Sequence, residues 1–484
     1  MYTRNEFFIN GEWARPAGND ILNVISPTTE QVIGHVPVAT AADMDAAVSA
    51  ARGALETGVW PKLSVLERGA YILEIANSLL SQLEYACHLQ VDEMGAPYSW
   101  ISAVTGYWLT LIQHDIDVAA SIPVKEVLEG YMGKVVVYRE PVGVVAGIIP
   151  WNAPIVNALT KVVPSLLTGC PIVLKPAPES PLSAYLMADA AIAVGLPPGV
   201  FNLVPGGREI GEYLVGHPGV DRVSFTGSTA AGAKVAALCG QQIKNATLEL
   251  GGKSAAIVME DADLDRIMPS LISNSLQNSG QVCVNTTRIL VPRSRSAELR
   301  DRLVDEISQL KVGDPHDPIT TVGPLVAERQ RERVEGYIKS GLEQGAKIIL
   351  GGGRPKDLPT GWYVEPTIFA EVDNSMRIAQ EEIFGPVVCL FDYDDVEQAV
   401  SIANDTQYGL GGAVYTSDLD RGIEVAAQMK TGSCIINEGP LGGGGGPFGG
   451  CKKSGLGRES GREGFESYLE LKSVALPAGF DPKE

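Results

Sequence analysis

Between residues 142 and 434 the chain alternates short apolar runs with amphipathic stretches, and this alternation limits the fold more than any other feature. Residues 142–149, 171–174, 200–204 and 222–225 read as strands, with helices predicted over 158–168, over 181–194 and after residue 230. Strands buried on both faces carry no polar alternation, so the pattern is that of a parallel, doubly wound sheet. A second alternating stretch from 254 to about 434 predicts a second sheet of the same kind. Ahead of these, 6–13 and 31–38 read as short strands around a turn, 41–55 and 67–94 as helical, and 134–138 as a strand ended by Pro141. The tail, 468–476, reads as a strand with no local partner, so it is expected to pair elsewhere, with another subunit as the candidate. No period of roughly 20–50 residues recurs, which excludes solenoids and propellers.

Composition excludes several function classes. The 484 residues hold Lys+Arg 38 against Asp+Glu 58, a net charge of −20, which argues against coating nucleic acid or anionic lipid. A chain this long buries a core without disulfide staples. Its 7 cysteines are odd in number and scattered, which predicts reduced thiols and a cytoplasmic protein. Residues 1–10 contain no apolar core of a signal peptide, and no apolar run approaches the roughly 20 residues of a membrane helix.

Four segments carry candidate chemistry. Gly227-Ser228-Thr229-Ala230-Ala231-Gly232-Ala233-Lys234 follows a strand and opens a helix. It is not a P-loop, because Ala233 separates the second glycine from the lysine. A pyrophosphate seat at a helix N-terminus and an ordinary strand–helix turn both fit it. The only GxGxxG match, Gly444 to Gly449, contains Pro447 and opens no helix, so it reads as chance. Cys283, in Gly280-Gln281-Val282-Cys283, fits a small buried hydrophobe or a nucleophile. The five histidines (His35, His88, His114, His217, His316) lie in no motif, which disfavours a Cys/His hydrolase. Glu249, between Leu248 and Leu250, fits a cap or turn acid or a general base. Asn152, between Pro150 and Pro154, fits an Asx-turn or a fixed oxyanion donor.

Together these stretches resemble the aldehyde dehydrogenase family over nearly the whole chain. The resemblance rests on Phe8-Ile9-Asn10-Gly11-Glu12-Trp13, Pro150-Trp151-Asn152, Lys175-Pro176, Phe225-Thr226-Gly227-Ser228 and Leu248-Glu249-Leu250-Gly251-Gly252-Lys253. It continues through the Cys283 segment, Glu381-Glu382-Ile383-Phe384-Gly385-Pro386, Pro447-Phe448-Gly449-Gly450 and Ser454 to Glu459, in family order. It implies Cys283 as nucleophile, Asn152 and the Cys283 backbone N–H as oxyanion donors, and Glu249 as the base that hydrolyses a thioester. Lys161 and Glu459 match a pair that relays the base's proton. For the dinucleotide it implies Lys175 and Glu382 at the two riboses and Ser228 at the pyrophosphate. Ile148, Pro150, Trp151, Gly207, Gly211, Phe225, Gly227, Leu250 and Phe384 complete that cofactor set. The cofactor expected is NAD, with NADP as the alternative, and no metal is implied.

The implied fold is α/β and aldehyde dehydrogenase-like, with two doubly wound parallel-sheet domains plus a β-arm for oligomerisation. Residues 1–122 and 142–251 would bind the dinucleotide, 252–453 would form the catalytic domain, and 123–141 with 465–484 the arm of a homodimer or homotetramer. The partners implied are a small aldehyde and copies of the chain, with no nucleic acid and no membrane.

Two departures stand out. Pro178 occupies the place where many NAD-preferring members carry an acid, and Glu179 comes one residue late. The Gly442–Gly446 run replaces what is often an aromatic-bearing loop, and Ala153 stands where an aromatic is frequent. The glycines and Ala153 predict a wide or mobile entrance that admits bulky or long apolar aldehydes. A CoA-acylating member would typically lack the glutamate base, and a non-catalytic relative would have lost Cys283, Glu249 or Asn152. Cys451 is assigned no role.

Overall fold

The structure, a computed structural model, describes residues 1–439 and 445–482. The expected alternation folds into two mainly parallel sheets. The first has eight strands in the order Gly455–Leu456, Asn245–Glu249, Arg222–Thr226, Val145–Ile148, Ile172–Lys175, Phe201–Leu203, Phe7–Ile9 and Glu12–Ala14. The five central strands are parallel, and the chain's beginning and the late Gly455–Leu456 strand close the edges antiparallel. The second sheet has seven strands in the order Lys347–Leu350, Thr367–Ala370, Val387–Tyr393, Arg288–Pro292, Ala255–Val258, Gly412–Tyr415 and Ile435–Ile436. Its strands read as uninterrupted apolar runs because helices cover both faces. Ala255, Ile257 and Leu290 pack on one side, Ala256, Ile289 and Val388 on the other.

Local chemistry sets many element ends. Asn10 and Gly11 take positive φ (56° and 83°), the backbone of a tight two-residue turn between Phe7–Ile9 and Glu12–Ala14. Thr40 with Asp43, and Ser64 with Glu67, form capping boxes that start the helices Ala41–Glu56 and Val65–Ser81. The predicted helix over 67–94 is two helices, with Leu83–Met94 restarting after Gln82.

The tail strand departs from expectation. Leu469–Ala475 pairs antiparallel with Gly133–Pro141 of the same chain, from Leu469 opposite Pro141 to Ala475 opposite Val135. With Lys125–Gly130 it makes a separate three-stranded sheet. The partner was invisible to a local reading because roughly 330 residues of chain intervene. Among the described residues, no helix is long and apolar enough to cross a membrane.

Candidate active site

In the first sheet, Ile148, Lys175, Thr226 and Glu249 stand at the carboxyl ends of adjacent parallel strands. Ile148 lies opposite Lys175, and Thr226 opposite Glu249. That end is where open parallel sheets place ligands. The second sheet delivers Cys283 to it. The helix Leu264–Gly280 breaks in its last turn, where Asn278 and Ser279 take left-handed backbone (φ 49° and 57°) and Gly280 follows at 78°. Consecutive left-handed non-glycines are unfavourable and persist only where neighbours over-determine them. Here the Asn278 amide donates to the Asn152 carbonyl (3.0 Å), the Ser279 hydroxyl to the Gly323 carbonyl (3.0 Å) and the Asn285 amide to the Gln277 carbonyl (3.1 Å). The Val326 N–H donates to the Gln281 side chain (3.0 Å). The Asn152 amide donates one hydrogen to the Gln281 carbonyl (2.9 Å), which fixes the plane of its remaining N–H beside Cys283.

Glu249 is buried at the end of its strand, neither in a helix cap nor in a turn. Its carboxyl lies against the Cys283 thiol. Burial, reinforced by the charge of Glu459, raises Glu249 to about 8. Burial and the facing Glu249 push the thiol well above its ordinary value. One Glu249 oxygen has no hydrogen-bond partner among the described residues, as a base awaiting a substrate proton would. Behind it, Lys161 is wholly buried, donates to Thr226 Oγ1 (2.6 Å) and forms an ion pair with Glu459.

The expected cofactor residues gather in the adjoining cleft. Ser228 caps the helix Thr229–Gln241, and Gly227 and Ser228 border the main cavity, so the N-terminal end of this helix adjoins it. Phe225 packs under Gly227, and Leu250 under Gly232 of the same helix. Among the described residues the buried Lys175 ammonium donates only to the Pro176 carbonyl (2.9 Å), and burial lowers it to about 8 against the opposing pull of Glu179. A Cβ on Gly211 would press on the Lys175 stem (3.3 Å), and Gly207 leaves open space at the start of the helix Arg208–Gly216. The opposite lobe contributes Glu382, which accepts from the Gly252 N–H (3.1 Å), and a Cβ on Gly251 would overlap its carboxylate. Burial lifts Glu382 to about 7. Phe384, at φ 63°, meets Trp151 edge-on with centroids 5.3 Å apart. Ile148 ends its strand just before Pro150, which lines the cavity. Glu179 is ion-paired with Arg329 of the second lobe.

One cavity of about 470 Å³ brings together Pro150, Trp151, Asn152, Gly227, Ser228, Glu249, Cys283, Glu382, Phe384 and Glu459, while Ile148, Lys161, Lys175, Gly207, Gly211, Phe225 and Leu250 do not line it. Its outer wall was missed in the sequence. The helix Tyr98–Thr110 presents Trp100, Ala103, Val104, Tyr107 and Trp108, joined by Val156 and Phe448. The signal was legible as a stripe spaced i, i+3, i+4, i+7, i+8, which reads equally as core until the neighbouring elements are in place. Of the glycine run, 442–444 lies outside the described residues. Gly445 packs against His114, with no room for a side chain. Cys451 is partly buried, with its thiol directed at the Gly409 and Lys430 carbonyls and away from the site.

Comparisons with known proteins agree with this geometry. The family model "Aldehyde dehydrogenase family" matches residues 13–474. Geranial dehydrogenase of Castellaniella defragrans is 42% identical over 471 residues, 97% of this chain and 98% of the relative. Chloroplastic betaine aldehyde dehydrogenase of Amaranthus hypochondriacus is 39% identical over 484 residues, 98% and 97% of the two chains. The structure of Mycobacterium tuberculosis aldehyde dehydrogenase complexed with NAD+ matches with a TM-score of 0.94 and 44% identity, covering 99% of each chain. A mutant aldehyde dehydrogenase C of Pseudomonas syringae, solved with NAD+ and octanal, matches with a TM-score of 0.94 and 41% identity, covering 99% and 98%. Two parallel sheets that converge on one cavity, and relatives alike from end to end, lead to one conclusion: the chain belongs to the aldehyde dehydrogenase family, with its fold and its activity as an aldehyde-oxidising oxidoreductase.

Proposed function

We propose that this protein oxidises bulky or long apolar aldehydes to carboxylic acids with NAD, through a Cys283 adduct that water hydrolyses. The observation that carries this reading is the Cys283 thiol set against the buried Glu249 carboxyl in a cavity of about 470 Å³. Cys283 adds to the aldehyde carbon as the thiolate, its proton leaving by way of water in the cavity. The Asn152 amide and the Cys283 N–H hold the oxyanion, which makes its collapse the favoured path. NAD, when bound, would supply the acceptor for the hydride released as the oxyanion collapses. The acyl group is then left on sulfur as a thioester, and Glu249 takes a proton from the attacking water. Lys161 and Glu459, buried as an ion pair beside Glu249, pass that proton on.

The residues present fit a dinucleotide. A buried lysine has one carbonyl partner, glycines clear the space above it, and a capped helix N-terminus borders the cavity. Lys175 would hold the adenosine ribose, the N-terminus at Ser228 the pyrophosphate, and Glu382 with Phe384 the nicotinamide ribose. Glu179 stands close enough to act on Lys175, so a carboxylate occupies that rim despite Pro178, which favours NAD over a 2′-phosphate. The aromatic wall from Trp100 to Trp108 with Phe448 supports an apolar substrate. The first sheet, within 1–122 and 142–251, would be the cofactor domain and 252–453 the catalytic domain. The sheet of 123–141 and the tail would be the arm of a homo-oligomer.

The test is formation of NADH and NADPH with short, long-chain and aromatic aldehydes, beside Cys283→Ala. NADH with long or aromatic aldehydes, little with acetaldehyde and none from Cys283→Ala is expected. Equal turnover of acetaldehyde would remove the substrate class, and a strict need for CoA would remove the hydrolytic route.

A further inference from the structure

A second, smaller cavity lies behind the wall of the first. Its volume of about 20 Å³ takes one water molecule. Trp108, Thr160 and Ser460 border both cavities and so form the partition between them. Thr160 and Ser460 are the immediate chain neighbours of Lys161 and Glu459, the buried ion pair. Among the described residues, the only ionisable group on the small cavity is Asp115, from the helix Ile112–Ala120, and the rest of its lining is apolar apart from the two hydroxyls.

We propose that Asp115 is the outward end of a proton path that leaves the active site through Glu459, Ser460 and the small cavity. The inference rests on the reading of Glu249 as the hydrolytic base. Hydrolysis of the acyl group consumes one water: its oxygen bonds to the acyl carbon, the carbon–sulfur bond breaks, and carboxylate, Cys283 thiol and one proton result. That proton cannot stay on Glu249 if the next cycle is to run. It moves to Glu459, the other carboxylate bordering the main cavity on this side. Water in the main cavity carries it to the Ser460 hydroxyl oxygen, which takes it while donating its own proton outward, and water in the small cavity does the same toward Asp115.

Several observations support the path. Ser460 is held at φ 58° and ψ 171°, a backbone region that non-glycine residues rarely adopt, on the partition itself. Its hydroxyl makes no hydrogen bond to any described residue, so it is free to donate and accept. The small cavity offers a water three polar neighbours, Thr160, Ser460 and Asp115, the number an ordered buried water normally has. The Asp115 carboxyl is half-buried, makes no hydrogen bond or ion pair with a described residue, and so reaches both cavity and solvent. Burial raises it to about 6, with His114 opposing, so it both takes and releases protons near neutrality.

The test uses p-nitrophenyl acetate, which acylates Cys283 without dinucleotide. The burst of nitrophenolate reads acylation and the later steady phase reads hydrolysis. Asp115→Asn and Asp115→Glu are compared with wild type in dilute buffer, with and without imidazole. Asp115→Asn is expected to keep the burst and slow the steady phase about tenfold, with Asp115→Glu or imidazole restoring it. An unchanged steady phase, or a loss that neither restores, would overturn the path, since a structural role answers to neither. The retained burst certifies a folded site. Glu249→Gln run in parallel should keep the burst and lose the steady phase. Should it keep both, the hydrolytic-base reading fails whatever Asp115 does.

Discussion

A thiol that burial and a facing carboxylate hold in its neutral form is a poor nucleophile until something removes its proton. Glu249, which faces it, is itself raised to about 8 by burial, so it too is largely protonated at neutral pH. A base works only when ionised, so thioester hydrolysis should rise with pH through about 8 and level off above. Stopped-flow NADH traces should show Glu249→Gln keeping a first turnover while steady turnover falls by about 10²–10⁴-fold. Equal losses in both phases would take Glu249 out of the hydrolytic step. Substitution should also abolish the rise through about pH 8, a change that mere disturbance of the strand end would not bring about.

At the scale of elements, the catalytic turn is held where a packed neighbour meets a backbone conformation. Gly280 sits at φ 78°, and a Cβ there would overlap the carbonyl of Gly385, in the segment that also carries Glu382 and Phe384. The turn bearing Cys283 and the loop bearing Glu382 are therefore packed as one piece. Gly280→Ala incurs both the left-handed strain and the overlap, about 2–5 kcal/mol, read as a lower denaturant midpoint. Gly240 is the control. It lies within the helix Thr229–Gln241 with nothing within 4 Å of its Cβ position, so Gly240→Ala should stabilise by about 0.5–1 kcal/mol. A destabilised Gly240→Ala would show that helix propensity does not govern there.

For the whole molecule, the three-stranded sheet leaves apolar side chains in solvent. Leu471 is 66% exposed and Leu128 44%, and the register, opposite Arg139 and Val135, puts both on one face of the sheet. A monomer gains nothing by exposing such a row, and a second copy would cover it. Leu471→Glu combined with Leu128→Glu should leave the two sheets folded while reducing the assembly, seen as a smaller sedimentation coefficient with an unchanged circular dichroism spectrum. An unaltered sedimentation coefficient would remove the arm from the interface.

The sequence by itself determined the parallel sheets, because continuous apolar strands cannot face water on either side. Through the resemblance that its motifs carry, it also pointed to Cys283, Glu249 and Asn152 and to the candidate cofactor residues. Those are properties of short segments, and short segments carry their own periodicity and side-chain chemistry. Tertiary structure alone decided what depends on distant neighbours. The tail strand found its partner at Gly133–Pro141. The Trp100–Trp108 stripe turned toward a cavity and not a core. Asn152 met Gln281 across a loop, and Asp115 met Ser460 across a space that takes one water. Burial raised a glutamate and a thiol far from their ordinary behaviour, because desolvation is a property of everything packed around a group and of no single stretch of chain.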